Sequence, residues 1–160
     1  MSKFNADRRA WLAGAGAFVA LAACSRAEAK RYPVEMSEAD WRRKLKPDAF
    51  AVLRQQDTER PYSSPLNGEK RRGIYACKGC GNPAYSSANK FESGTGWPSF
   101  WAPTAAQRIG TTTDYKIGFP RTEVHCARCG GHLGHIFNDG PAPTGKRHCL
   151  NGVALVFRPA

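Results

Sequence analysis

Negative charge, long apolar runs and internal repetition are what this chain of 160 residues has little of. Thirteen acidic residues stand against 24 lysines and arginines, a formal net charge of +11. Such an excess favours polyanions or an anionic membrane surface. The basic residues are scattered rather than gathered in a run, however, which reads as a solvated basic surface. No apolar stretch reaches the about 20 residues that a membrane-crossing helix needs. Self-similarity at a fixed period is missing, which excludes solenoids and propellers, and there is no long low-complexity tract.

The one extended run of apolar or small residues, 11–23, follows Arg8 and Arg9. Its length fits the h-region of a signal, about 7–15 residues, and DRRAWL resembles the twin-arginine export signal of bacteria. A Gly/Ala-rich run after a charged start makes a poor amphipathic helix, which weighs against a buried helix of the mature fold. Ala27-Glu28-Ala29 offers a small-residue cleavage site. Residues 21–24 resemble instead a bacterial lipobox, which would lipidate Cys24 and anchor the protein to a membrane. Both endings stay open. Residues 1–29 are thus expected to be an export signal and residues 30–160 a single domain, bacterial and periplasmic, acting as a monomer. Setting 1–29 aside leaves 20 basic against 11 acidic residues, a net charge of +9.

Ser37-Glu38-Ala39-Asp40 is a helix-start signature and predicts a short helix near 38–45. Pro47 suits a first helical turn, with a second helix running to about Gln56. Residues 57–72 are polar, contain Pro61 and Pro65, and read as loop. From Gly73 onward short period-two runs alternate with turn residues. They predict strands at 74–77, 84–86, 99–101, 115–119, 122–126, 134–137 and 149–157. Many short strands without intervening helices make a mainly β fold, an antiparallel sandwich or barrel-like core with the short helices outside it.

Four of the six cysteines form matched C-x-x-C-G sets, Cys77/Cys80 and Cys126/Cys129. One tight turn can present two sulfurs to a single ion, and glycine after the second cysteine permits the positive φ that such a turn wants. Two such turns supply four thiolates to one closed, structural zinc. Two disulfides, or a redox dithiol, are the competing uses of the same residues. Transport by the twin-arginine route, which moves folded proteins, would let metal bind in the reducing cytoplasm first.

Cys149 is left without such a partner. A lone thiol in RHCLNGVALVF is a candidate nucleophile, although free cysteine is also often just a small buried hydrophobe. On a strand, Arg147, Cys149 and Asn151 share a face while His148 turns away. Arg147 would favour the thiolate, and Asn151 can hydrogen-bond on the same face. His132 and His135 are candidate proton donors, with Glu123 or His125 as a third such group.

GTGWPSFW (94–101), the run from Arg121 to Asn151, TERPYS and GIYACKGCG together resemble the methionine-R-sulfoxide reductase B family over roughly 37–158. The resemblance implies two antiparallel sheets with short N-terminal helices. It implies that Cys149 attacks the sulfur of methionine R-sulfoxide, and that Trp97 packs on the substrate's ε-methyl. Between the free amino acid and oxidised proteins as substrate, which the sequence leaves open, export and an exposed site would favour the proteins. His132, His135 and Asn151 match the polar residues that order water and help protonate the departing oxygen, and Arg147 a basic residue near the nucleophile. Cys77, Cys80, Cys126 and Cys129 match the zinc set of one branch. The chemistry suits these residue types. Attack needs a thiolate, oxygen departure needs an acid, and the sulfenic acid left on Cys149 must then be reduced by a second thiol.

The chain departs from many members at Thr95, where they carry a resolving cysteine. A one-cysteine cycle is therefore expected, closed by a thioredoxin-like or small-thiol reductant. Two other readings compete: a zinc-ribbon module using its charge on nucleic acid, and a thiol–disulfide oxidoreductase using the C-x-x-C pairs. Export would remove the chain from nucleic acid, and bound metal would occupy the paired thiols.

Overall fold

The computed structural model describes residues Arg31–Ala160; the expected export signal, with Arg8, Arg9 and Cys24, lies outside them. Two helices come first. Ser37 caps α1 (Glu38–Lys44), its hydroxyl accepting from Asp40 N at 3.1 Å, and Pro47 opens α2 (Pro47–Gln55). Both starts agree with the sequence signals. The helices bury Trp41, Phe50, Val52 and Leu53, and the Arg54 side chain donates to the Cys129 carbonyl at 2.9 Å. Between Gln56 and the first strand the chain is irregular apart from a single 3-10 turn at Pro65–Asn67.

Nine strands follow, in two antiparallel sheets. The first contains β1 (Gly73–Cys77), β2 (Pro83–Ser86) and β9 (Leu155–Pro159), in the order β2-β1-β9. The second contains β3 (Lys90–Phe91), β4 (Ser99–Phe100), β5 (Ile109–Asp114), β6 (Arg121–Cys126), β7 (His132–Phe137) and β8 (Arg147–Leu150), in the order β3-β4-β8-β7-β6-β5. Tyr75 and Tyr85 of the first sheet pack on Phe100 of the second, ring centroids 4.9 Å apart in both cases. Leu133, Leu150, Val124 and the helix side chains complete one core. The arrangement is mainly β with two helices, as expected, but neither sheet closes into a barrel.

Three expectations need correction. Residues 115–119 are not a strand. Their alternating Tyr, Ile and Phe are exposed at the tip of the β5–β6 hairpin. The strand is the preceding stretch Ile109–Asp114, whose polar Thr111, Thr112 and Thr113 face solvent at the sheet edge while β-branching suits them to extended backbone. The long strand expected at 149–157 is two strands in different sheets, separated by a 3-10 turn at Gly152–Ala154. Asn151 therefore does not continue the face of Arg147 and Cys149; it begins that turn.

The register of the larger sheet aligns chemistry. Thr112 lies opposite Glu123, Glu123 opposite His135, His135 opposite Cys149, and Cys149 opposite Ser99. Directly opposed residues project to the same face, so one row across five strands collects these side chains. Gly134 allows β7 its close approach to β8, since a Cβ there would fall 2.0 Å from the Cys149 carbonyl oxygen.

Candidate active site and candidate metal centre

The two C-x-x-C turns meet. Cys77 ends β1 and Cys126 ends β6, so one turn belongs to each sheet. Gly81 and Gly130 follow at φ 75° and 68°, the positive values expected of them. The four sulfurs lie within 4.8 Å of one another, with Cys77–Cys129 at 3.7 Å and Cys80–Cys126 at 3.5 Å. A disulfide needs about 2.05 Å, so these are free thiols. A tetrahedron with metal–sulfur bonds of about 2.3 Å has edges near 3.8 Å. The donor set thus fits a closed four-thiolate site of the kind zinc takes. Asn82 Nδ2 lies 3.3 Å from the Cys126 sulfur and also donates to the Arg108 carbonyl at 2.7 Å.

The larger sheet's polar row borders a cavity of about 130 Å³, walled by Trp97, His135, Cys149 and Asn151, with Thr58, Arg121 and Phe137 among its other lining residues. Four of the six residues singled out as catalytic or substrate-binding therefore share one space. His132 sits behind His135, their rings 5.3 Å apart. Arg147 lies beside Cys149 without lining the cavity.

Each group is held. Burial pushes the Cys149 thiol up, while the Thr95 hydroxyl, 3.9 Å from the sulfur, and the Arg147 charge work against that rise. Arg147 closes its fork on Asp139 with two bonds of 2.9 Å and stacks 4.4 Å from the Phe137 centroid. His132 Nδ1 donates to Glu123 at 2.8 Å, leaving a buried Nε2 without a partner among the described residues. Burial alone would raise Glu123, yet His125, His132 and the Thr112 hydroxyl hold it well below the usual carboxylate range. His135 Nε2 donates to Asp114 at 2.8 Å, and Arg121 donates to the same carboxylate at 2.6 Å. Burial lowers His135, with Asp114 opposing. His148, on the opposite face as expected, meets the Tyr85 hydroxyl at 3.0 Å.

Asn151 is committed on both sides of its amide: Nδ2 donates to the Leu133 carbonyl at 3.2 Å and Oδ1 accepts from Glu59 N at 3.0 Å. Glu59 was not singled out in the sequence, yet it ties the site together. Its carbonyl accepts from the Trp97 indole at 3.1 Å, and its carboxylate accepts from Gly152 N at 2.6 Å and Val153 N at 2.9 Å. Asp114, Asp139, Thr58 and Arg121 were missed too. Thr58 and Arg121 line the cavity, while Asp114 and Asp139 hold His135 and Arg147, and nothing in their local spacing marks them.

A family model described as the SelR domain matches residues 45–159. A protein of Methanosarcina barkeri (strain Fusaro / DSM 804) named peptide methionine sulfoxide reductase MsrB is 51% identical over 125 residues, covering 78% of this chain and 88% of its own. Proteins of the same name from Bradyrhizobium diazoefficiens (50% over 123 residues, 77% and 88%) and Agrobacterium fabrum (45% over 126 residues, 79% and 93%) are similar over nearly the same span.

Proposed function

This chain belongs to the peptide methionine sulfoxide reductase MsrB family, and from that premise we propose that it returns the R epimer of methionine sulfoxide in oxidised proteins to methionine by thiolate chemistry at Cys149. It is an oxidoreductase. The observation that carries the residue assignment is the cavity in which one unclustered thiol meets Trp97 and His135.

The Cys149 thiolate attacks the electrophilic sulfur of the sulfoxide. An S–S bond forms as the S–O bond breaks and the protonated oxygen leaves. Water then adds to the Cys149 sulfur and the S–S bond breaks, so that with a net uptake of one proton the products are methionine and a sulfenic acid on Cys149. Two electrons leave the Cys149 sulfur and arrive at the methionine sulfur. Trp97, fixed through its indole N–H, provides the apolar wall for the substrate methyl. Acid catalysis of oxygen departure falls to His135 and His132, together worth about 10²–10⁴-fold. Glu123 holds the His132 ring through Nδ1, which leaves Nε2 without a protein partner among the described residues. Asn151, with both ends of its amide committed, shapes the cavity wall and holds β7 to the turn after Cys149.

Thr95 occupies the place from which a second cysteine would reach Cys149, and the four other described cysteines stand in the candidate metal cluster. The sulfenic acid is accordingly reduced from outside, by two thiols of a thioredoxin-like protein or a small thiol, yielding water and a disulfide of the reductant. Zinc is the metal that the four-sulfur set fits best; it would tie the two sheets together and leave no position open for substrate. The export reading rests on Arg8, Arg9 and the run 11–23. Periplasmic fractionation of the native chain beside an Arg8→Lys/Arg9→Lys variant tests it, and equal export of both would reject the twin-arginine route.

The central test supplies the separate R and S sulfoxide epimers with dithiothreitol to the native protein and to Cys149→Ser. Consumption of R alone by the native protein, and of neither by the variant, is expected. Turnover by the variant would remove the assignment.

A further inference from the structure

Five large apolar side chains are exposed among the described residues, and four of them stand on the two loops beside the walls of the Cys149 cavity. Tyr115, Ile117 and Phe119, 68%, 51% and 57% exposed, form the tip of the β5–β6 hairpin. The base of that hairpin is Asp114, which holds His135, and Arg121, which lines the cavity. Tyr62 donates from its hydroxyl to the Gly94 carbonyl and from its backbone to the Gly96 carbonyl, so it flanks the loop carrying Thr95 and Trp97. The fifth, Val156, lies on β9 of the other sheet.

The tip is anchored rather than free. Lys116 Nζ donates to the Gln56 carbonyl at 2.9 Å, Lys116 N to Asp114 Oδ1 at 2.7 Å, and Gly118 N to the Tyr115 carbonyl at 3.0 Å. These bonds tie the tip to Gln56, two residues before Thr58, which also lines the cavity. Clustered apolar exposure on an ordered hairpin marks an interaction surface.

The cavity selects its occupant. At about 130 Å³ it is well below the ~300–1,000 Å³ of clefts that enclose drug-sized ligands, so it admits little more than one side chain. When the oxidised methionine belongs to a polypeptide, its neighbours have to lie outside, across the rim. An extended chain advances about 3.3 Å per residue, so two or three residues beyond the methionine reach over a neighbouring hairpin. We propose that Tyr115, Ile117 and Phe119 are a docking platform for extended polypeptide bearing apolar side chains next to the oxidised methionine. The platform rests on the reading that the cavity reduces methionine sulfoxide; it adds which sequences around the methionine are favoured.

The test measures kcat/KM of the full-length, metal-loaded protein, of Ile117→Ser/Phe119→Ser, and of Val156→Ser. Three R-sulfoxide substrates are used: blocked methionine sulfoxide, a heptapeptide with leucine and valine beside it, and one with serine and glycine there. The native protein should prefer the apolar heptapeptide. The double variant should lose about tenfold on that peptide, mainly through KM. It should keep its rate on the blocked amino acid, because neither side chain lines the cavity, and Val156→Ser should match the native protein throughout. An unchanged apolar-peptide rate in the double variant, an equal loss on all three substrates, or no preference in the native protein overturns the platform. Loss of binding to anionic vesicles with peptide kinetics intact overturns it in favour of a lipid-facing tip. Failure of the native protein to turn over even the blocked amino acid is a separate result, which rejects the reductase reading and the platform with it.

Discussion

Replacing Arg147 with methionine isolates the electrostatic part of the activation proposed for Cys149. Methionine keeps an apolar stem to lie against Phe137, where the guanidinium now stacks, but removes the positive charge beside Cys149. Its partner Asp139 is 62% exposed, so leaving that carboxylate alone costs little. Burial already pushes the Cys149 thiol up, and of the two opposing influences only the Thr95 contact would remain. An opposite charge within about 4–6 Å moves a titration by about one to three pH units. At any fixed pH below the thiol's midpoint, the thiolate population should therefore fall at least about tenfold. The assay is alkylation by iodoacetamide across pH, read at the Cys149 peptide by mass spectrometry, beside single-turnover reduction. Both profiles should move to higher pH by the same interval, with the alkaline plateau nearly unchanged. Arg147→Lys, which keeps the charge but loses the two-pronged grip on Asp139, should fall between. A Met variant whose alkylation profile stays in place, or moves toward acid, refutes the role given to the guanidinium.

Glu59→Gln retains one acceptor but turns an amide N–H₂ toward a backbone N–H, at Gly152 or Val153. Urea unfolding should show a loss of about 1–3 kcal/mol, and kcat should drop because Trp97 and Asn151 bond to the same residue. Burial holds His148 at about 4, against an ordinary 6.5. Its neutral form is the native one, so the stability it allows above pH 6.5 is lost as pH falls toward 4, about 2 kcal/mol of it by pH 5. His148→Phe should flatten that decline: through the lost Tyr85 bond it should be about 1 kcal/mol less stable than the native protein at pH 7, and about 1 kcal/mol more stable at pH 5, by unfolding measurements at each. Chelation should release about one zinc per chain by elemental analysis and lower the melting temperature together with activity; a metal-free protein with an unchanged melting temperature would show that the cluster is not structural.

What was legible in the sequence was what local pattern encodes. Ser37 and Pro47 marked the helix starts, Gly81 and Gly130 marked the metal turns, and alternation placed His148 away from Cys149. Patterns that depend on a partner misled. Tyr115, Ile117 and Phe119 alternate as a strand does, but no strand lies beside them, whereas the polar Thr111–Thr113 stretch is a strand because β6 pairs with it. The break after Leu150 was invisible because its cause, the Glu59 carboxylate capping Gly152 and Val153, comes from 93 residues earlier in the chain. Likewise Asp114 and Asp139 became relevant only once register set them against His135 and Arg147.

Register is also the link between the two populations of cysteine. Residues 126–131 form both the second metal turn and the β6–β7 connection, with Cys126 N bonded to the Gly131 carbonyl and Gly130 N to the Cys126 carbonyl. A shift of one residue in that connection would turn every side chain of β7 to the opposite face. It would take His135 out of the row with Glu123 and Cys149. An ion shared by the four sulfurs, which lie within 4.8 Å of one another, would oppose such a slip by fixing the turn at 126–129 against the one at 77–80. Cys149, the proposed nucleophile, sits on a strand of only four residues, so its place depends on the alignment of the strands beside it. The same fixed turn reaches back to α2 through Arg54, so the helices, the metal turns and the reacting row are positioned as one unit. Loss of metal should therefore abolish reduction before it fully unfolds the chain.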